Sequence, residues 1–321
     1  MNQTELDQVI QEHYGNTAGL IIQQNGDMLY EAYFNNCDKE STIHLYSVTK
    51  SIVSLLIGIA IDKGYIKSEQ QKILDFFPEY IVDSSRSELN ELTIKHLLTM
   101  KTAYQFAEEP YEAFFTSEDW VRFVLDQLKA PLSEGFRYTP IIGPDLLTGI
   151  LERATEKTVL DFAEEVLFGP LGLRVEKKIV FRSFEEQMAF YVSTTTSGWV
   201  ADPTGTNAAG WGLTMTTSDL LRIGQCIMNQ GVWEEDQLVS EEWLKKMTQE
   251  HNRWEEMDLP YGYLWWLLGD EEYAALGDGG NMLYINAPLK LVVAMTGLFA
   301  EGAADRVTFI KERLLPIMVE K

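Results

Sequence analysis

Ser47 and Lys50 stand three residues apart at the head of an apolar run, Ile52-Val53-Ser54-Leu55-Leu56-Ile57-Gly58-Ile59-Ala60-Ile61. On a helix this spacing puts a hydroxyl and an amine on one face, one turn apart. A serine hydroxyl is a weak nucleophile until a neighbouring base takes its proton. The first turn of a helix offers unpaired backbone N–H donors that can hold an oxyanion, and its dipole disfavours a nearby ammonium. If Lys50 is also buried, its uncharged form is favoured further. Ser47 is therefore the candidate nucleophile and Lys50 its candidate base. The spacing alone is weak, because a chain of this composition yields about one such pair by chance. The context adds weight: the run is hydrophobic all round, as in a buried helix, and stops at Gly64. The plain alternative is a capping serine beside a surface lysine.

The elements that must position this pair follow from pattern. Residues 3–13 read as an amphipathic helix. Ala18–Gln24 and Met28–Phe34 are β-rich runs joined by Asn25-Gly26-Asp27, a hairpin signal. From about 65 to 200 the pattern is mostly helical, with helices expected over Thr93–Met100, Ser117–Leu128, Leu146–Lys157 and Val159–Phe168. A further helix is expected over Thr217–Asn229. Tyr261–Leu268, Met282–Ile285 and Leu291–Gly297 read as strands, and Asp305–Met318 as a closing helix. The expectation is an α/β (α+β) fold: an antiparallel sheet built from both chain ends, flanked by helices, with a mostly helical insertion. The domains would be residues 1–64 with 205–321, and residues 65–204. A cleft between such parts is the usual ligand site.

The chain has 321 residues, enough to bury a large core, and an ordinary globular composition of 45% hydrophobic and 12% aromatic residues. Its net charge of −23 argues against nucleic acid and anionic membrane surfaces as partners. Cys37 and Cys226 fit no metal or redox spacing, and His13, His44, His96 and His251 lack ligand spacing. No metal or organic cofactor is expected. The N-terminus has no basic flank or apolar run, and the longest apolar run, 52–61, is too short to span a bilayer. The default localisation is cytoplasmic.

Seven segments extend the reading: LYSVTKSIVSLLIGIAIDKG, LTIKHLLTM, FRYTP, LLTGILERATEKTVLDFAEEVLFGPLGL, AGWGLTMTTSDLLRIGQ, YGYLWWL and LGDGGNMLYINAPLKLVV. In their order and spacing the chain resembles the serine β-lactamase and penicillin-binding-protein superfamily, on the branch of class C β-lactamases, DD-peptidases and related esterases. The resemblance spans roughly residues 18–316. It implies a five-stranded antiparallel sheet flanked by helices plus an all-helical domain, and an acyl-enzyme mechanism without a cofactor. Ser47 matches the acylated serine and Lys50 the lysine of the first motif. Tyr138, in Phe136-Arg137-Tyr138, matches the tyrosine of the Tyr-x-Asn motif, whose phenol moves a proton. Asp278-Gly279-Gly280 aligns with the third motif. The oxyanion hole would then be the N–H groups of Ser47 and Asn281.

Two departures bear on specificity. Pro140 stands where the motif has Asn, and it brings neither a side-chain amide nor a backbone N–H. Asp278 stands where the family more often has a cation that binds a substrate carboxylate. An acid there disfavours efficient β-lactam hydrolysis and favours a neutral or cationic ester or amide. Of the other candidates, Trp265 could line the cleft, since alternation would turn one of Trp265 and Trp266 each way. Trp211 reads as structural. His44 lies near Ser47 in sequence, but with Lys50 present it is the lesser candidate base. The reading is a serine hydrolase acting on a small-molecule ester or amide. The alternative is a non-catalytic or weakly active ligand-binding homologue of penicillin-binding proteins. Transacylation is a third, weaker option.

Overall fold

The computed structural model describes residues 3–102, 104–129 and 135–316. Its centre is an eight-stranded, wholly antiparallel sheet. The strands are β1 (Thr17–Gln24), β2 (Asp27–Tyr33), β3 (Asn252–Trp254), β4 (Leu259–Tyr261), β5 (Trp266–Gly269), β6 (Glu272–Gly277), β7 (Asn281–Asn286) and β8 (Leu291–Gly297). Their spatial order is β2-β1-β8-β7-β6-β5-β4-β3, so both ends of the chain meet at the β1–β8 ladder. The β1–β2 hairpin turns on Asn25 (φ +54°) and Gly26 (φ +87°), the left-handed positions that Asn-Gly supplies at low cost.

Alternation assigns the two faces. Leu20, Ile22, Val293 and Met295 point to one side, where the N-terminal helix α1 (Gln3–His13) and the closing helical segment from Arg306 to Leu314 cover them. Ile21, Val292 and Ala294 point to the other, into the larger apolar cluster, which includes helix α2 (Val48–Asp62) and the helix over Thr217–Met228. Because both faces are buried, β1 and β8 read as nearly continuous apolar runs. The larger apolar cluster runs on from this face, through α2, into the helices of the middle of the chain.

Every residue of α2 from Val48 to Ala60 is buried. The polar side chains of Ser51 and Thr49 find partners, while Ser54 Oγ has none among the described residues. Ser51 Oγ donates to Leu264 O at 2.7 Å, and Thr49 Oγ1 accepts from Leu213 N at 3.4 Å. Gly58 is required by close approach, since a Cβ there would sit 2.2 Å from the Trp243 ring.

Between α2 and residue 200 the described chain is mostly helical, as expected. Short helices cover Ile94–Leu98, Tyr111–Phe115 and Trp120–Gln127, followed by α3 (Asp145–Thr155) and α4 (Phe184–Val192). Helix α5 (Thr217–Met228) lies against the sheet beside α2. The end of the expected closing helix, past residue 316, lies outside the described residues.

Two expectations are corrected. The sheet has eight strands where five were implied, because three short strands extend it past β6. The run Tyr261–Leu268 is not one strand: β4 and β5 form a hairpin broken at residues 262–265. There a Cβ on Gly262 would lie 2.1 Å from Met247 O, and Leu264 takes a left-handed φ of +61° while bonding Leu98 O.

Candidate active site

Tyr46, immediately before the candidate nucleophile, has φ +49°, an uncommon conformation for a bulky residue. Such strain persists only where the surroundings over-determine it. It turns the chain so that Ser47 sits as the residue preceding α2. Its hydroxyl makes no capping bond, which removes the capping-serine alternative. The N–H groups of Val48, Thr49 and Lys50 bond the carbonyls of Leu45, Tyr46 and Ser47. The first-turn donors anticipated from the sequence are therefore already spent. The Ser47 N–H has no partner among the described residues.

Lys50 is 1% exposed, so the surface-lysine alternative also fails. Its Nζ stands 2.7 Å from Ser47 Oγ and 2.9 Å from Gly210 O, and it also bonds Pro140 O. Carbonyl oxygens can only accept, so Pro140 and Gly210 take two N–H bonds. In its amine form Lys50 has just those two, which leaves its lone pair on Ser47 Oγ. Pro140 thus contributes its carbonyl, a group the sequence comparison with Asn did not weigh.

Both carbonyls belong to backbone held by a carboxyl. Glu109 Oε1 accepts from Ile142 N at 2.7 Å, and Glu109 Oε2 from Ile141 N at 3.1 Å. Asp145 Oδ1 accepts from Ala209 N at 2.8 Å. Burial raises the carboxyl of Glu109 above the usual range, against the lowering effect of the Ile142 and Ile141 N–H bonds. Burial raises Asp145 well above that range, with the Ala209 N–H opposing.

Tyr138 is half-buried and stacks on Phe136 and Trp254. Its ring centroid lies 5.4 Å from Lys50 Nζ, but its hydroxyl bonds neither Lys50 nor Ser47 among the described residues. At the end of β6, Gly277 abuts the nucleophile: a Cβ there would lie 2.3 Å from Leu45 O and 3.2 Å from Ser47 N. Asp278 follows it and is exposed. Gly279 (φ +73°) and Gly280 (φ +81°) make the tight turn into β7. Asn16 pins that turn by donating to Gly279 O and Leu298 O, both at 2.7 Å. Asn281 turns its side chain inward, to Asp278 O at 2.7 Å and Gly297 N at 3.1 Å. Trp265 is 0% exposed and packs on Tyr273 in the core. The broken strand explains why alternation failed to place it.

A cavity of about 340 Å³ opens beside Ser47. Its walls include His44, Tyr46, Tyr111, Tyr191, Trp211 and Phe299, and among the described residues Asp278 is the one charged residue lining it. Its mouth is apolar: Met188 is 43%, Val192 72% and Phe299 58% exposed. His44 Nε2 accepts from Gly212 N at 3.0 Å, and burial lowers the ring to about 3. The neutral ring therefore carries its proton on Nδ1, which has no partner among the described residues. His44 is turned away from base duty by that bond. Among the described residues no group of three or more His, Cys, Asp or Glu could hold a metal ion. No helix there is long and apolar enough to cross a membrane.

The family model described as Beta-lactamase matches residues 6–308. The chain belongs to the Beta-lactamase family. Solved structures share its fold. The octameric penicillin-binding protein homologue from Pyrococcus abyssi has a TM-score of 0.73 at 19% identity, covering 100% of this chain and 78% of that one. A penicillin-binding protein from Bacillus halodurans has a TM-score of 0.72 at 17% identity, covering 97% and 99%. EstCE1, a hydrolase with promiscuous acyltransferase activity, has 0.69 at 15%, covering 94% and 93%.

Against the Beta-lactamase family pattern, the parts of this site that the sequence did not reveal are Glu109, Asp145 and the carbonyls of Pro140 and Gly210. A main-chain acceptor leaves no side-chain signature. Glu109 and Asp145 carried no spacing that tied them to Lys50, since tertiary contact alone brings them there.

Proposed function

We propose that this member of the Beta-lactamase family is a serine hydrolase that forms an acyl-enzyme on Ser47 with small, uncharged esters or amides. The observation that carries the reading is the 2.7 Å contact between Lys50 Nζ and Ser47 Oγ, with Lys50 otherwise engaged by two carbonyls. Ser47 Oγ attacks the substrate carbonyl carbon as its proton passes to Lys50 Nζ. The oxyanion is met by the Ser47 N–H and by a second N–H from the turn after Gly277, at Asp278 or, as the motif alignment has it, Asn281. The closeness of Gly277 to Ser47 N favours Asp278. The proton then goes to the leaving group, and water releases the acyl group.

Tyr138 is the proposed aid to that proton transfer, which requires its hydroxyl to swing toward Ser47. Tyr111 lines the cavity next to Glu109, so it is the competing phenol. Tyr138→Phe and Tyr111→Phe decide between them by which one slows acylation.

Cavity and charge set the substrate class. A volume of about 340 Å³ is near the small end of ligand pockets, roughly 300–1,000 Å³. Its lining is aromatic and aliphatic, and its mouth is apolar, which suits an apolar acyl group. Asp278, and the lack of any lysine or arginine among the lining residues, disfavour a carboxylate. EstCE1 supports hydrolysis on this fold, and its printed acyltransferase activity keeps transfer to another acceptor open.

A fluorophosphonate probe followed by intact mass tests the reading. The expected result is one adduct, lost in Ser47→Ala. Saturable binding of an ester without any covalent adduct would establish the non-catalytic reading, which Pro140 and Asp278 favour.

A further inference from the structure

Lys50 is gripped by two loops that come from distant parts of the chain, and each loop is tied down by one carboxyl. Glu109 holds the N–H groups of Ile141 and Ile142, and the next carbonyl back, Pro140 O, accepts from Lys50 Nζ. Asp145 holds the N–H of Ala209, and the carbonyl of the following residue, Gly210 O, accepts from Lys50 Nζ at 2.9 Å. We infer that Glu109 and Asp145 are positioning residues for Lys50, acting through the Pro140 and Gly210 carbonyls to aim its nitrogen at Ser47. The inference rests on the proposed role of Ser47 and Lys50 and adds how this chain meets it with Pro140 in the loop.

Proline leaves the loop with fewer ways to fix itself. It has no N–H of its own, and its side chain cannot reach Lys50. The loop still has to present a carbonyl to a buried amine. Glu109 supplies that order from outside the loop, from just before the Tyr111–Phe115 helix. On the other side, Asp145 opens α3 and is buried with its second oxygen unpartnered among the described residues. Asp145 serves there only as an acceptor for Ala209 N–H, so an amide of the same shape keeps that bond. Neither group needs to touch substrate. Both act as acceptors for main-chain N–H donors, which separates them from a base.

The test uses the intact chain and a fluorophosphonate probe, with labelling rate measured over probe concentration. Wild type, Glu109→Ala, Glu109→Gln, Asp145→Ala and Asp145→Asn are compared. Glu109→Ala should lower the limiting labelling rate about 10²-fold, the cost of a misplaced catalytic group, with half-saturation unchanged. Glu109→Gln keeps an acceptor for Ile142 N–H and should recover most of the rate. Asp145→Ala should slow labelling as Glu109→Ala does, and Asp145→Asn, which keeps an acceptor for Ala209 N–H, should recover most of the rate. Equal rates for wild type and Glu109→Ala overturn the inference while leaving the serine hydrolase reading intact. So does Glu109→Gln as slow as Glu109→Ala, which would make the carboxyl itself a proton carrier. Should Glu109→Ala fail to fold, the Gln and Asn variants decide: a tenfold loss in either overturns the inference. Absence of labelling in wild type overturns the serine hydrolase reading and the inference with it.

Discussion

The two sides of Ser47 are built on opposite principles. On the floor, every polar direction of Lys50 has a partner, and the loops that provide those partners are themselves tied by Glu109 and Asp145. On the outer wall, aromatic rings pack against one another, and three polar atoms of lining residues have no partner among the described residues: His44 Nδ1, Tyr46 Oη and Trp211 Nε1. Buried polar groups are normally paired, and exceptions concentrate at sites kept for function. The difference teaches where precision is needed. The floor must hold two atoms at proton-transfer distance. The wall has only to exclude water and accept an acyl group of suitable shape.

Breaking the floor should have the largest effect. Lys50→Met removes the amine while filling most of its volume. Loss of a positioned base costs about 10²–10⁴-fold, and probe labelling should fall by that much. The same change leaves Pro140 O and Gly210 O buried without a donor, at about 1–3 kcal/mol each. A lowered thermal midpoint should therefore accompany the lost labelling. A variant that keeps its labelling rate would remove Lys50 from the mechanism.

Gly277→Ala attacks the floor from the side of the sheet. The new Cβ would lie 2.3 Å from Leu45 O, so the strained turn at Tyr46 or the end of β6 must shift. Either shift displaces oxyanion donors, and losing one typically costs about 2.7–4 kcal/mol of barrier. Acylation should slow by about 10²–10³-fold with ester binding little changed. Unchanged acylation would place the oxyanion elsewhere.

The wall is probed through His44. Its ring titrates near 3 in the folded chain, because burial opposes the charge, and near 6.5 when unfolded. The unfolded state therefore binds the extra proton first. Stability is full above about 6.5 and is lost as pH falls toward about 3, by up to several kcal/mol. Asp145 has the opposite sign, since a raised carboxyl favours the folded state at low pH. His44→Gln keeps an acceptor for Gly212 N–H but cannot titrate. In thermal melts it should gain on wild type as pH falls through this window. Parallel pH curves for the two proteins would show that His44 is not confined as the structure has it.

How much of this was readable beforehand differs between floor and wall for a physical reason. Ser47 and Lys50 lie on one helix, so local spacing sufficed to pair them, and the apolar run after them announced the burial. The sheet was legible where Asn25-Gly26 forced a hairpin and where β8 reads as a nearly continuous apolar run. The failures needed contacts that no local pattern holds. Trp265 was assigned to the cleft by an alternation argument that requires an unbroken strand, and the backbone of Leu264 breaks it. Glu109, 59 positions from Lys50, joins the floor only through Ile141, Ile142 and the Pro140 carbonyl. The substitution of Pro for Asn was visible, but its remedy by a main-chain oxygen was not.

The smallest effect concerns the mouth. Asp278 is exposed, so water screens it, yet among the described residues it is the one charge lining the cavity. Burial pushes up the hydroxyls of Tyr46 and Tyr111 most, then Tyr191 and Glu109 respectively, and Asp278 adds a smaller push to both. Asp278→Lys replaces repulsion of a substrate carboxylate by attraction. With the water-like dielectric of about 80 that an exposed group sees, the swing is about 1.4 kcal/mol near 6 Å, or about tenfold in rate. Carboxylate-bearing β-lactams should then acylate Ser47 about tenfold faster, the gain shrinking in high salt, while neutral esters stay unchanged. Equal gains for neutral and anionic substrates would mean that the lysine acts on shape. No gain for either would leave substrate choice to the aromatic wall alone, and the contrast between a polar floor and an apolar wall would then account for specificity without any charge at the mouth.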